Sequence, residues 1–186
     1  MNSYSLTRSN FKDIFDRLSA EYRLFGPKRL AGRGRFSDTD LITCDFLADI
    51  DELEFEEKSF MSPKSVVFPA DETIFVFNEE EFKEPLMRDQ REIIVFLRPC
   101  DINGFARLDK IFLENGDRVD PYYQRRRQKI HFFMIECSSS FENCFCVAMQ
   151  SNHTDNYAVA LRFDKESIEI QIRNDHFNRF FESFGT

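Results

Sequence analysis

Five residues stand out as able to do chemistry by type: Cys44, Cys100, Cys137, Cys144 and Cys146. Three of them fall in one run, CSSSFENCFC, residues 137–146. An odd count with irregular spacing is not a disulfide framework, so the expected state is reduced thiol, serving as ligand or as small core residue. Four thiolates suit a [4Fe–4S] cluster or a tetrahedral zinc ion. A cluster carries electrons, whereas a closed zinc site only holds a loop. The spacing differs from the compact run of a bacterial ferredoxin. Cys144 and Cys146 are two apart, and an extended pair would point to opposite sides, so both can serve one site only across a turn. Asp101 offers an oxygen in place of a thiolate that does not reach. Phe141 and Phe145 are candidates to exclude water from the site. Cys44, beside Thr43 and Asp45, reads as structural. Cluster, zinc and plain thiols all remain open on these residues alone.

The elements that must position these thiols follow from hydrophobic patterning. Glu92–Leu97 (EIIVFL) is a continuous apolar run, as in a strand buried on both faces. A helix is expected next, with Asp101 as N-cap and Ile102, Phe105, Leu108 and Phe112 on one face. Asp120-Pro121 starts a short helix through Arg127, and Ile130–Ile135 is the next buried strand. Strand, helix, strand makes a parallel crossover, which puts both strand C-termini on one side of the sheet. Cys100 lies just past the first end and Cys137 just past the second, where open α/β sheets place ligand sites. Cys144 and Cys146 follow in a loop able to fold back over those ends. Arg98 and Asp101 are candidate cofactor contacts by position, with Cys100, Cys137, Cys144 and Cys146 as candidate metal ligands.

Elsewhere, Phe11, Ile14, Phe15, Leu18, Tyr22 and Phe25 follow helical spacing after Ser9 or Asn10 as cap, with Gly26-Pro27 as the stop. Lys28–Asp40 reads as a basic loop whose Arg33, Gly34 and Arg35 could line an anionic site, a solvated loop being the default. Ser62-Pro63 turns into a strand, SVVF, and Thr73–Phe77 forms a second β run before the acidic segment Glu79–Glu84. Tyr157–Phe163 and Ser167–Ile172 form a hairpin, and Asp175–Phe184 a closing amphipathic helix. The expected fold class is α/β, α+β being the alternative: a small mixed sheet with flanking helices. Residues 1–186 read as one domain, loop-rich over 1–90 and cysteine-bearing over 91–186.

Composition narrows the function. Of 186 residues, 23 are Phe and none is Trp, so Phe must build the core. The net charge of −8 disfavours a broad nucleic-acid face. No run approaches the ~18 apolar residues of a membrane span, and the N-terminus lacks the apolar region of a secretory signal, so a cytoplasmic setting is expected. The chain shows no GxSxG, HExxH, Walker or GxGxxG pattern. His131 reads as a packed strand residue, and Arg125, Arg126 and Arg127 as a solvated helix face or a partner contact. No complete catalytic site is expected.

Five segments together carry a resemblance: GRGRFSDTD (32–40), KSFMSPKSVVFP (58–69), RPCDINGFARLDKIFL (98–113), DPYYQRRR (120–127) and IECSSSFENCFCVAMQSN (135–152). They resemble the N-terminal region of the A-type subunits of anaerobic sulfite reductases, and more broadly the β subunits of cytoplasmic sulfhydrogenases. The Ser37–Asp40 and Ser59–Pro63 blocks favour the sulfite reductase subgroup. The resemblance implies an iron–sulfur subunit that relays electrons from an FAD-binding, NAD(P)H-oxidising subunit to a sirohaem subunit that reduces sulfite. It raises a [4Fe–4S] cluster above zinc at the four cysteines. It also implies two CxxCxxCxxxCP motifs in a C-terminal half, which this sequence lacks, so a fragment or a shortened protein is expected. The rival readings are a metal-free or zinc-bearing domain that docks partner subunits, through the Arg33–Arg35 loop and the Tyr122–Arg127 helix, and the corresponding subunit of a sulfhydrogenase.

Overall fold

The computed structural model describes residues 2–36, 38–78, 81–84 and 89–184. Ser37, Glu79 and Glu80, which belong to segments singled out above, lie outside the described residues. A seven-stranded mixed sheet runs through the chain. Its strands are β1 (Asn2–Thr7), β2 (Arg23–Leu30), β3 (Leu41–Phe46), β6 (Ile93–Leu97), β7 (Ile130–Ile135), β8 (Val159–Phe163) and β9 (Ser167–Ile172). A separate hairpin pairs β4 (Val76–Phe77) with β5 (Phe82–Lys83). The spatial order is β1-β9-β8-β7-β6-β2-β3. The four central strands β2, β6, β7 and β8 are mutually parallel, with antiparallel strands closing both edges.

The helices are α1 (Arg8–Glu21), α2 (Pro99–Phe112), α3 (Pro121–Arg127) and the short α4 (Asn178–Phe181). They cover both faces of the sheet, and alternation along the strands sorts the core accordingly. Ile94 and Phe96 of β6, with Phe133 and Ile135 of β7, face Phe11, Ile14, Phe15 and Leu18 of α1 and Phe177, Phe180 and Phe181 near the C-terminus. Val95 and Leu97, with Phe132 and Met134, face Ile102 and Phe105 of α2 and Tyr123 of α3. Phe carries the core as composition required: Phe133 is fully buried and packs edge-on against both Phe96 and Phe177.

The structure bears out the α/β class and the strand–helix–strand crossover, and several local expectations change. Helix α1 is capped by Thr7, whose Oγ1 accepts from Asn10 N, rather than by Ser9 or Asn10. It ends at Glu21, because Leu24 and Phe25 are needed on opposite faces of the sheet as part of β2. Gly26-Pro27 therefore sits inside a strand. Gly26 fits there because a Cβ would meet Phe96 Cβ at 3.0 Å and Leu53 Cδ1 at 3.1 Å. Past Phe25, β2 leaves β6 and takes up the segment after β3: Glu54 N donates to Pro27 O at 2.8 Å, and Lys28 bridges to Leu53. The run SVVF forms no strand: its first two residues end a 3₁₀ turn, Pro63–Val66, with Pro63 at the first position, and Val67 is buried behind it. Only the last two residues of Thr73–Phe77 pair, and the closing helix is a 3₁₀ turn plus α4. Arg125, Arg126 and Arg127 pair with Glu84, Glu72 and Asp109.

Phe133→Ala removes the ring at the centre of this arrangement. It is expected to lower unfolding stability by about 3–5 kcal/mol, read from urea denaturation. A loss under about 1 kcal/mol would contradict the packing described.

Candidate functional site

The parallel register of β6 and β7 sets Leu97 beside Met134. Cys100 and Cys137 are each three residues further on, so the two thiols leave the sheet at the same edge. Cys100 enters the first turn of α2. The helix cap is Arg98, followed by Pro99, instead of the expected Asp101. Proline suits the first helical position because that N–H has no helical partner anyway. Asp101 instead sits within the first turn.

Beyond Cys137 the chain must cross to β8, which is parallel to β7 and adjacent to it. Parallel neighbours normally connect through a helix. Here residues 136–158 make the crossover with turns alone, and irregular loops of that length are uncommon in compact folds unless they are functional. The loop is shaped by local hydrogen bonds. Cys144 N donates to Phe141 O, Asn143 adopts φ 60, and both Ser151 N and Ser151 Oγ donate to Cys146 O. This is the turn that the Cys-x-Cys spacing requires. Cys144 and Cys146 both face the same cleft, and Phe145 between them is thrown outward, 72% exposed. Phe145 therefore does not shield the site, contrary to expectation, whereas Phe141 lines it.

The cleft has a volume of about 900 Å³ and its walls include Arg98, Cys100, Asp101, Cys137, Cys144 and Cys146. The six residues named as candidate ligands and cofactor contacts thus line one cavity, whereas Arg33, Gly34 and Arg35 do not. Cys44, which its sequence neighbours mark as structural, lines it too; its Sγ lies 3.6 Å from Ser59 Oγ. All five cysteines are free thiols. Among the described residues, no group of three or more His, Cys, Asp or Glu side chains is already gathered closely enough to hold a metal ion. The donor chemistry of the cleft, four free thiols at one sheet edge, is that of a thiolate-bound centre.

Electrostatics in the cleft disfavour bare negative charge. The Cys100 thiol is pushed up to about 11 by partial burial, and further by the charges of Asp101, Cys137 and Cys146. Burial raises Asp101 as well, against the pull of Arg98 and Lys58. Burial takes Cys44 up to about 11. A cation or metal centre that binds Cys100 as thiolate must therefore displace a proton.

Two positioning features lie outside what the sequence motifs point to. Asn103 Nδ2 donates to Ser151 O at 3.1 Å and His153 O at 2.9 Å, clamping the cysteine loop to α2. A signal for it exists: Asn103 lies three residues after Cys100, on the same helical face. The segment 55–57, whose Phe55 and Glu57 carbonyls receive Arg98 Nη2, has no such signal, since backbone acceptors carry no residue type.

No family model matches the chain, and no solved structure matches it significantly. It is similar to the sulfhydrogenase 2 subunit beta of Pyrococcus furiosus, 29% identical over 150 residues. The likeness is to a sulfhydrogenase β subunit. It does not single out the sulfite reductase subgroup. The match takes in 80% of this chain and 41% of the relative, so the chain spans about two fifths of that protein's length.

Replacing Asn103 with Ala removes two hydrogen bonds that hold the loop, together about 1–3 kcal/mol. Amide exchange at Ser151 is expected to quicken roughly tenfold or more with the sheet amides unchanged. Unaltered exchange at Ser151 would mean that the clamp does not hold the loop.

Proposed function

We propose that this chain is the N-terminal part of an iron–sulfur electron-transfer subunit in a multisubunit oxidoreductase, with Cys100, Cys137, Cys144 and Cys146 as ligands of a [4Fe–4S] cluster. The observation that carries the reading is the convergence of four thiols, from two strand ends and one irregular crossover, on a single cleft. Such a centre supplies one-electron transfer when bound. The chain's own part is to present the thiols and to line the cleft beside them with Phe141. The mouth of the cleft carries exposed Phe60, Met61 and Val147, an apolar rim suited to contact with another protein.

The identity of the complex is the finer proposal. The sequence blocks favour a sulfite reductase, in which a flavin- and NAD(P)H-binding subunit is the donor and a sirohaem subunit is the acceptor. The similarity to a sulfhydrogenase β subunit favours the second reading, the same role in a sulfhydrogenase. A cytoplasmic setting suits both. No helix among the described residues is long and apolar enough to cross a membrane.

The test is anaerobic reconstitution of the full chain with iron and sulfide. About four irons per chain and a brown colour are expected. Cys144→Ser is expected to lose most of that iron while its far-UV circular dichroism and unfolding midpoint stay close to wild type. A colourless protein holding one zinc would replace the cluster with a structural zinc site. A protein that stays metal-free under these conditions would point to a docking domain.

A further inference from the structure

Arg98 is the one charged residue among the described residues that is buried, at 8% exposure. Its guanidinium has four neighbours. Nη2 donates to Phe55 O at 2.6 Å and Glu57 O at 3.5 Å, Nη1 donates to Cys137 Sγ at 3.3 Å, and the group lies 4.4 Å from the centre of the Phe141 ring. Two of these are neutral carbonyls and one is an aromatic face. No carboxylate of the described residues forms an ion pair with it. Arg126 and Arg127, with side-chain exposures of 19% and 18%, each have a carboxylate in an ion pair, Glu72 and Asp109. The Asp101 carboxyl feels the charge of Arg98, but the direct donors of the guanidinium go to carbonyls and to one sulfur, and a buried cation is costly unless its donors are met. The single sulfur in its reach belongs to the cleft.

We propose that Arg98 is the positioning residue that supplies a fixed counter-charge to the thiolate centre through Cys137, and so raises its reduction potential. This rests on the iron–sulfur reading above. The fork is anchored by the carbonyls of segment 55–57, and its geometry is set before any group binds. One-electron reduction of a bound cluster adds one negative charge, with the electron delivered by an external donor and no proton moved. A guanidinium that donates to one ligand sulfur stabilises the more negative state, and hydrogen bonds to cluster sulfurs act in this direction. Lysine replaces it only in part, since a single ammonium keeps the charge but cannot reach both the carbonyls and the sulfur in one plane.

The experiment is a dithionite titration of the anaerobically reconstituted full chain, followed by electron paramagnetic resonance, for wild type, Arg98→Met and Arg98→Lys. With iron content equal to wild type, the midpoint of Arg98→Met is expected to shift to lower potential, with Arg98→Lys between the two. A fully loaded Arg98→Met with an unchanged midpoint would reduce Arg98 to a latch between segment 55–57 and the end of β6. If Arg98→Met does not fold, Arg98→Lys carries the test alone, and an unshifted midpoint there overturns the proposal. Wild type that takes up no iron overturns the cluster reading itself, and this inference with it.

Discussion

Parallel pairing of β6 with β7 is the constraint on which the rest of the site depends. Two parallel strands in register deliver whatever follows them to one edge of the sheet, and here each is followed by a cysteine at the same offset. That register is held from both faces. Phe96 and Phe133 lock it against α1 and the C-terminal phenylalanines, and Leu97 and Met134 against α2. The core that burial builds is therefore also the jig that sets the spacing of Cys100 and Cys137. Nothing in the loop needs to find the sheet edge, because the strands have already fixed it.

The N-terminal part of the chain takes a share in the site through the backbone. When β2 leaves β6 beyond Phe25, the space opened is filled by residues 53–57. Their carbonyls then stand where Arg98 can reach them. The same shift brings β3, with Cys44, to the wall of the cleft. An arginine at a helix cap thus joins three stretches that are far apart in sequence: the 55–57 segment, the β6–α2 junction and the start of the cysteine loop.

β6, β7, α2, α3 and the β8–β9 hairpin are legible in sequence because each has an apolar run, a regular alternation or a cap residue at its boundary. Asp120 before Pro121 is a clear instance, and its side chain does accept from Tyr122 N and Tyr123 N. The region from Tyr22 to Leu30 misleads because Tyr22 and Phe25 continue a helical spacing by coincidence, while the signal for a strand lies in burial on both faces, which only the assembled sheet supplies. Gly26-Pro27 looks like a stop for the same reason. β1 and β3 are hidden as edge strands with mixed polarity. At the site, the convergence of the cysteines follows from topology, and the Cys-x-Cys turn follows from the alternation of an extended chain. Cys44 reads as structural from its neighbours in sequence, and neighbours brought up from other strands override them.

The irregular crossover at 136–158 has one more consequence, for the chain entropy of folding. Joining β7 to β8 through a long loop without a helix means that closing this contact costs chain entropy with little local structure to offset it. β8 pairs with β7 over three residues and with β9 over five. The hairpin of β8 and β9 is local in sequence, whereas the pairing of β8 with β7 spans the 136–158 loop and that of β1 with β9 joins the two ends of the chain. Anything that shortens the effective length of that loop lowers the entropic cost of bringing β8 to β7, and losing that pairing exposes the central strand β7 along one side. The segment that presents the thiols is in this sense also the tether between the two halves of the sheet.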